Sequence, residues 1–321
     1  MSFELILPFL RPIESLLLDE SVSEIMGNPD ASWWYERDGI MRREETIMFD
    51  ARKLRTGLEV IANQLGKKLD EDNPVLHAQL PDGSRLAAVI PPVVRPAPAL
   101  TIRKFTSRSF TIDDLIRRET LTRPIAEFLA DQIRNGKTLL ISGGTGTGKT
   151  TLLRILAAFI PEQERVVVIE DTSELHIHKP NILAVECQSD KFNSSISFDD
   201  LLKSALRWRP DRIILGEVRG IEARTLLDSF NTGHAGSLAT IHANSAEKAL
   251  RRFASLVMRN HAQITFSDIE AEIGESVDLV VHVERQAGRR ILREVLALRG
   301  YDRDAKRFLI EPVFEAQHAS H

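Results

Sequence analysis

Nine residues, Gly143–Thr151, read "GGTGTGKTT" and constrain this chain more than any other stretch. "TLLIS" precedes them and "LLRILAAFI" follows. A buried strand therefore enters a glycine-rich turn, and a helix leaves it. Gly143-x4-Gly148-Lys149-Thr150 is the full phosphate-binding loop pattern in its required strand–turn–helix setting. The glycines let the backbone turn so that successive N–H groups point inward at phosphate oxygens. The helix N-terminus adds a favourable dipole. In this pattern Lys149 reaches the β- and γ-phosphates of ATP, and the Thr150 hydroxyl supports Mg²⁺. Gly144, Thr145, Gly146, Thr147 and Thr151 complete the cradle. Lys149 is expected to be exposed to solvent.

The segments around this loop alternate between the two periodicities. "IAEFLADQIRNG" reads as a helix stopped by Gly136, "RVVVIE" as a buried strand and "FDDLLKSALRW" as a helix. "RIILG" is a strand, "IEARTLLDSFNTG" a helix stopped by Gly233, and "SLATIH" a strand. Short apolar strands alternating with helices specify a parallel sheet covered on both faces. The tail, "VDLVVHVERQAGRRILREVLALRGYD", reads as antiparallel strands turning at Ala287-Gly288.

The first hundred residues carry no strong chemical motif. "VLHAQLPDGSRLAAVIPPV" is a hairpin turning at Asp82-Gly83, and "ALTIRKF" is a further strand. Thr111 and Thr122 are helix-cap candidates. The fold class is α/β: a smaller α+β domain over 1–107, a linker over 108–122, and a RecA-like P-loop domain over 123–321. The second has a mainly parallel sheet with an antiparallel C-terminal extension.

Composition excludes several classes. With 43% hydrophobic and 27% charged residues, 321 residues bury a core without staples. The net charge of -4 gives no overall pull toward nucleic acid. The single cysteine, Cys187, has no partner for a disulfide and no metal-ligand spacing, and reads as a core residue. Glu4 and Pro8 interrupt the N-terminal apolar run, which is not a signal peptide. No run approaches the ~20 apolar residues that span a bilayer. "FELILPFLRPIESLLL" reads as a helix packed on its own domain, with a membrane or partner surface as the alternative. The triplet Trp33-Trp34-Tyr35 reads as core or half-core packing.

Polar groups recur just past strands. "VVVIEDTSEL" places Glu170, Asp171 and Glu174 there, "RIILGEVRG" places Glu217, and "SLATIHANS" places His242. In open parallel sheets, ligands bind at the carboxyl ends of strands. Taken singly, each residue is as well explained by a helix cap or a structural histidine; together they converge on the edge that carries the phosphate loop. Where P-loop proteins usually end a partner strand in an aspartate for Mg²⁺, this chain has Gly216 and then Glu217. Glu217 is placed to orient or deprotonate the attacking water. Thr150, water and Asp171 are left to support the metal.

"GGTGTGKTT", "IEDTSEL", "LRWRPDRIILGEVRG" and "NTGHAGSLATIHANS" together resemble the traffic ATPases of type II and type IV secretion systems. They correspond to that family's Walker A, aspartate box, atypical Walker B and histidine box. "SVSEIMGNPDASWWYERDG" and "GRRILREVLALRGYD" extend the resemblance to both ends, on the side of the conjugal-transfer and type IV secretion members. No four-cysteine zinc module of the type II kind is present.

The resemblance implies a subunit of a homohexameric motor that hydrolyses Mg-ATP between its two domains. It implies a cytoplasmic location, peripheral on the inner membrane. The implied partner is the secretion or conjugation machinery there, without direct nucleic-acid binding. Glu217 is the implied base, with Glu174 and Asp171 assisting. His242 and His234 sense phosphate, and an arginine from the N-terminal domain or a neighbour reaches the γ-phosphate. Arg103 in "LTIRKF" is the first candidate for that arginine, followed by Arg85, Arg123 and Arg219. The alternatives are a Tad, type IV pilus or type II secretion motor, a RecA-like nucleic-acid motor, and an ATP-gated scaffold without hydrolysis.

Overall fold

The computed structural model describes residues 6–37, 39–48, 50–105, 110–187, 196–259, 264–286 and 288–316. The chain divides into two compact units, Met1–Ser109 and Phe110–His321.

The first unit begins with two 3₁₀ turns, Leu7–Phe9 and Arg11–Ile13, and α1 (Glu14–Leu18). Pro8 and Pro12 each sit at the start of a turn, which is why this stretch is broken rather than one helix. Its apolar residues Ile6, Leu10, Ile13, Leu16 and Leu17 are buried in the unit's own core. Strands β1 (Val22–Gly27), β2 (Trp33–Arg37) and β3 (Ile40–Glu44) precede α2 (Ala51–Gln64), whose first N–H groups bond the Asp50 carboxylate. β4 (Val75–Gln79), β5 (Arg85–Val89) and β6 (Ala99–Arg103) complete an antiparallel sheet of order β3-β2-β1-β6-β5-β4. β4 and β5 form the hairpin: Gly83 takes φ +86 and Asp82 accepts the Ser84 N–H. Trp33 and Tyr35 are buried, and a Cβ on Gly27 would lie 2.6 Å from the Trp33 ring.

The second unit opens with α3 (Ile112–Arg117), started by a capping box between Thr111 and Asp114. α4 (Arg123–Arg134) follows; Thr122 stands at its N-cap without a side-chain bond. Then come β7 (Leu139–Gly143), α5 (Lys149–Ala157), β8 (Val166–Glu170), β9 (Ile182–Glu186), α6 (Phe198–Ala205) and β10 (Arg212–Val218). α7 (Glu222–Asn231), β11 (Leu238–His242), α8 (Ala246–Met258) and α9 (Phe266–Ser276) lead to β12 (Leu279–Gln286), β13 (Arg289–Asp302) and β14 (Arg307–Glu315). Ala287, half of the turn read from the sequence, lies outside the described residues; Gly288 has φ +83.

The sheet order is β14-β13-β12-β7-β11-β10-β8-β9. From β12 to β9 every pairing is parallel; β13 and β14 extend the sheet antiparallel. One apolar cluster joins one face to helices α6 to α9, and a second joins the other face to α3, α4 and α5. Both faces of β7 and β8 are thus covered, which explains their unbroken apolar runs. No helix among the described residues is long and apolar enough to cross a membrane.

Candidate functional site

The glycine loop runs from the end of β7 into α5. Gly143 is required by space, because a Cβ there would lie 2.3 Å from the Val283 carbonyl oxygen. Gly146 and Gly148 have φ of +70 and +95, the left-handed region that favours glycine. Gly148 is the N-cap of α5, so the helix starts at Lys149 with its first N–H groups facing the loop. The Thr147 hydroxyl donates to the Gly144 carbonyl at 2.9 Å, closing the turn internally. Lys149 is not exposed: only 7% of it is accessible, and its Nζ folds back to donate to the Gly144 carbonyl at 2.7 Å. An ammonium that is not on a phosphate takes the nearest backbone acceptor, and the loop itself supplies one. Gly144, Thr150 and Thr151 are half-buried, Thr145 and Gly146 exposed, and Thr147 buried.

Parallel register brings the other strand ends to the same height. Gly143 pairs with His242 and with Val283 on its two sides, and Ile241 pairs with Val218. Between Leu215 and Val218, β10 carries one residue more than β11 opposite it, a bulge at Gly216-Glu217. The Thr240 hydroxyl donates to the Gly216 carbonyl at 2.6 Å and pins it. Bulges re-aim side chains, and this one accompanies Glu217 toward β11. Glu217 Oε1 lies 3.0 Å from His242 Nε2, and Oε2 accepts from Arg219 Nη2 at 2.7 Å. Arg219 Nη1 reaches Asp171 at 3.2 Å. On the other side His242 Nδ1 is 3.4 Å from Lys149 Nζ. One chain of contacts therefore runs Lys149–His242–Glu217–Arg219–Asp171.

The chain fixes a tautomer. Lys149 has only hydrogens to offer, so His242 Nδ1 accepts, and Nε2 carries the proton toward Glu217. Burial, and then the Lys149 charge, hold the imidazole below its usual pKa; Glu217 opposes them with a smaller effect. His242 is neutral at neutral pH. Arg219 is positioned in turn by the buried carboxylate of Glu222, which accepts the backbone N–H groups of Arg219 and Gly220 at 2.6 and 2.7 Å.

Glu170 ends β8 and is buried. Its Oε1 accepts the backbone N–H groups of Glu174 and Leu175, both at 2.9 Å, so it ties down the segment that carries Asp171 and Glu174. Desolvation pushes its pKa up to about 7 against those two bonds. Its Cγ would lie 3.3 Å from a Cβ on Gly216. The glycine of the atypical "LGE" strand thus leaves room for the Glu170 side chain. Cys187 is half-buried against the core, and burial, then Asp171, push its thiol up to about 12.

Not every residue singled out from the sequence joins this site. His234 precedes β11 and lies at the amino edge of the strands, with Nδ1 3.3 Å from the Ser229 carbonyl. A strand length, on the order of 15 Å, separates that edge from the loop. The phosphate-sensing expectation for His234 therefore fails within one subunit; being next to "SLATIH" in sequence does not bring it to the same end. Arg123 pairs with Asp113 at 3.2 Å. In the first unit, β5 and β6 pair Arg85 with Arg103, and β1 pairs Glu24 with Arg103 on the other side. Arg103 lies 3.9 Å from Glu24 and is half-exposed.

Two residues near the loop have no warning in the sequence. Arg290 of β13 donates to the Gly146 carbonyl at 3.1 Å and lines Gly148. His282, buried on β12, bonds Ser142 at 2.8 Å directly beneath the loop. Only strand pairing brings the tail here.

Mg²⁺ finds few protein ligands. Among the described residues no group of three His, Cys, Asp or Glu is placed to hold a metal ion. The sequence reading offers the Thr150 hydroxyl and the Asp171 carboxylate as donors, and Asp171 is already paired with Arg219. This sparse oxygen set fits Mg²⁺, which keeps several waters and takes the rest of its ligands from substrate phosphates.

Comparisons with known proteins place the chain in a family. The family described as "Type II/IV secretion system protein" matches residues 10–305. The conjugal transfer protein TrbB of Rhizobium radiobacter is 36% identical over 88% of this chain and 85% of its own length. The type IV secretion system protein VirB11 of Bartonella henselae is 32% identical over 91% of this chain and 92% of its own. The crystal structure of the VirB11 ATPase from the Brucella suis type IV secretion system, in complex with sulphate, superposes with a TM-score of 0.51. It is 27% identical and covers 91% of this chain and 94% of its own. The chain belongs to the type II/IV secretion system protein family, among its conjugal-transfer and type IV secretion ATPases.

Proposed function

We propose that this chain hydrolyses Mg-ATP on the loop Gly143–Thr151, as one subunit of a homohexameric motor that serves type IV secretion or conjugal transfer. The observation that carries the reading is the single chain of contacts from Lys149 through His242 to Glu217 and Arg219. It links the lysine of a phosphate loop to a carboxylate held in fixed orientation.

Each residue takes a role that its surroundings permit. Lys149 exchanges the Gly144 carbonyl for β- and γ-phosphate oxygens. Glu217 orients a water and accepts its proton as the water oxygen attacks the γ-phosphorus and the bridge to the β-phosphate breaks. His242, neutral and donating from Nε2, holds the Glu217 carboxylate in place and registers the charge on Lys149. Arg219 neutralises Glu217 and Asp171 from the far side. Thr150 and Asp171 would hold Mg²⁺ together with water and the substrate, and the ion would supply neutralisation of phosphate charge. Arg103, with Arg85 beside it, supplies γ-phosphate charge stabilisation from the first unit or from a neighbouring subunit. Its partner in this reading is the inner-membrane secretion or conjugation machinery; the relatives named above, conjugal-transfer and type IV secretion proteins, support the secretion part of it.

The test is phosphate release from Mg-ATP by the purified chain, with Lys149→Ala as control. Turnover that disappears in the variant supports the assignment. Equal turnover by both removes Gly143–Thr151 from the chemistry.

A further inference from the structure

Lys248, Arg252 and Arg259 recur along α8 and its C-cap at spacings of four and seven, with Ser255 between the last two. That spacing places them on one helix face. The opposite face, with Ala249, Leu250, Phe253, Ala254 and Val257, is buried in the core. The polar stripe forms one wall of a cavity of about 650 Å³ whose other wall is Gly144, Thr145, His242 and Asn244. His242, which lines this cavity, has its Nδ1 3.4 Å from Lys149 Nζ.

None of the three cations has a carboxylate partner among the described residues. By contrast, Arg251 on the same helix pairs with Glu247 at 2.8 Å. The helix dipole accounts for Arg259 at the C-cap, but not for the other two cations. Lys248 lies in the first turn of α8, where the dipole disfavours a cation. Lys248 and Arg252 are a like-charged i,i+4 pair, which opposes the helix further. Three positive charges facing one cavity in a chain of net charge -4 call for an anion.

We propose that this cavity is a second oxyanion site, one that receives inorganic phosphate as it leaves the glycine loop. The inference rests on the ATP-hydrolysis reading above. In that reaction the γ-phosphorus gains the oxygen of water and loses its bridge to ADP, and Glu217 takes the proton. The product is a free tetrahedral dianion or monoanion beside Lys149 and His242. With ADP still in the loop, the product cannot leave through the space ADP fills. The cavity starts at Gly144, Thr145 and His242 and continues along cations that replace Lys149 one after another. Guanidinium groups match phosphate oxygens in pairs, and the volume accommodates phosphate with water around it.

The experiment is calorimetric titration of inorganic phosphate into the chain preloaded with the β,γ-imido analogue of ATP. The analogue fills the γ position, so any further phosphate binds elsewhere. We expect one phosphate per subunit. Arg252→Glu with Arg259→Glu should weaken it by about tenfold or more, since reversed charges repel the anion. Analogue affinity should stay the same, and Arg251→Glu should change neither. Arg252→Gln with Arg259→Gln, checked by thermal melting, provides a milder variant should the charge reversal fail to fold. Phosphate affinity unchanged in these variants overturns the proposal. So does a parallel loss of analogue affinity, which would place the cations in the nucleotide's own site. A wild-type chain that binds no analogue refutes the ATP reading instead; phosphate binding by that same chain, and its loss in the variants, then judges the cavity alone.

Discussion

Glu217 Oε1 and His242 Nε2 stand 3.0 Å apart, with the proton on the histidine side. The pair joins the bulge of β10 to the end of β11. It fixes the Glu217 carboxylate in direction. Glu217→Gln keeps the shape and can still accept from His242. We expect Mg-ATP binding to persist and turnover to fall by about 10²-fold or more. Equilibrium binding and phosphate release on one preparation check this. Loss of binding together with turnover would make Glu217 a structural or metal-site residue.

Lys149→Ala removes a charge that holds the His242 imidazole down. Burial, the larger cause, stays. The His242 pKa should therefore rise in the variant while remaining governed by desolvation. Ring-proton shifts across a pH series measure it, and an unchanged midpoint would mean that the two side chains do not communicate.

Glu170 has its folded pKa raised to about 7 from an ordinary value of 4.5. A raised carboxyl pKa means that the folded chain binds the proton more tightly than the unfolded chain. The contribution to stability is then most favourable below pH 4.5, declines as pH rises from 4.5 to 7, and is constant above. The full swing is on the order of 3 kcal/mol. Glu170→Gln retains an acceptor for the N–H groups of Glu174 and Leu175 and cannot ionise. The stability difference between variant and wild type should therefore grow in the variant's favour from pH 4.5 to 7 and then level off. Denaturant midpoints across that range test it; a flat difference would show that Glu170 does not titrate there.

Arg103 makes a long, exposed contact with Glu24. Such pairs contribute about 0–1 kcal/mol, so Arg103→Ala should leave the melting temperature nearly unchanged. In the role proposed for it, the variant binds ATP but hydrolyses it poorly with the ring intact by light scattering. Wild-type specific activity rises with protein concentration as hexamers form. A lowered melting temperature with normal turnover of the folded fraction would confine Arg103 to the fold.

The mostly parallel sheet was legible because strands buried on both faces must be apolar at every position. β8, "VVVIE", has all five residues buried. β9, "ILAVE", was missed for the same reason: an edge strand alternates between half-buried and exposed and leaves no such run. α8 has no counterpart in the sequence reading, although Ser245 caps it. The candidate loop, Glu217 and His242 were legible because each stands at the carboxyl end of an apolar strand, Glu217 and His242 within the strand's last residues. Arg290 and His282 were not, because a contact made by strand pairing across 140 residues leaves no local pattern. His234 shows the converse, since closeness in sequence to β11 says nothing about which end of the strand a residue occupies.

Arg290 on the Gly146 carbonyl has a practical side. The hairpin that carries it is synthesised late, with only β14 of the sheet after it, whereas the loop it touches is made much earlier. Until translation passes β13, the loop is without that support. A chimera that exchanges only the final strands with those of a relative would therefore also exchange the support of its glycine loop. Choosing where to splice such a protein means treating Gly143–Thr151 and Leu279–Asp302 as one inherited piece.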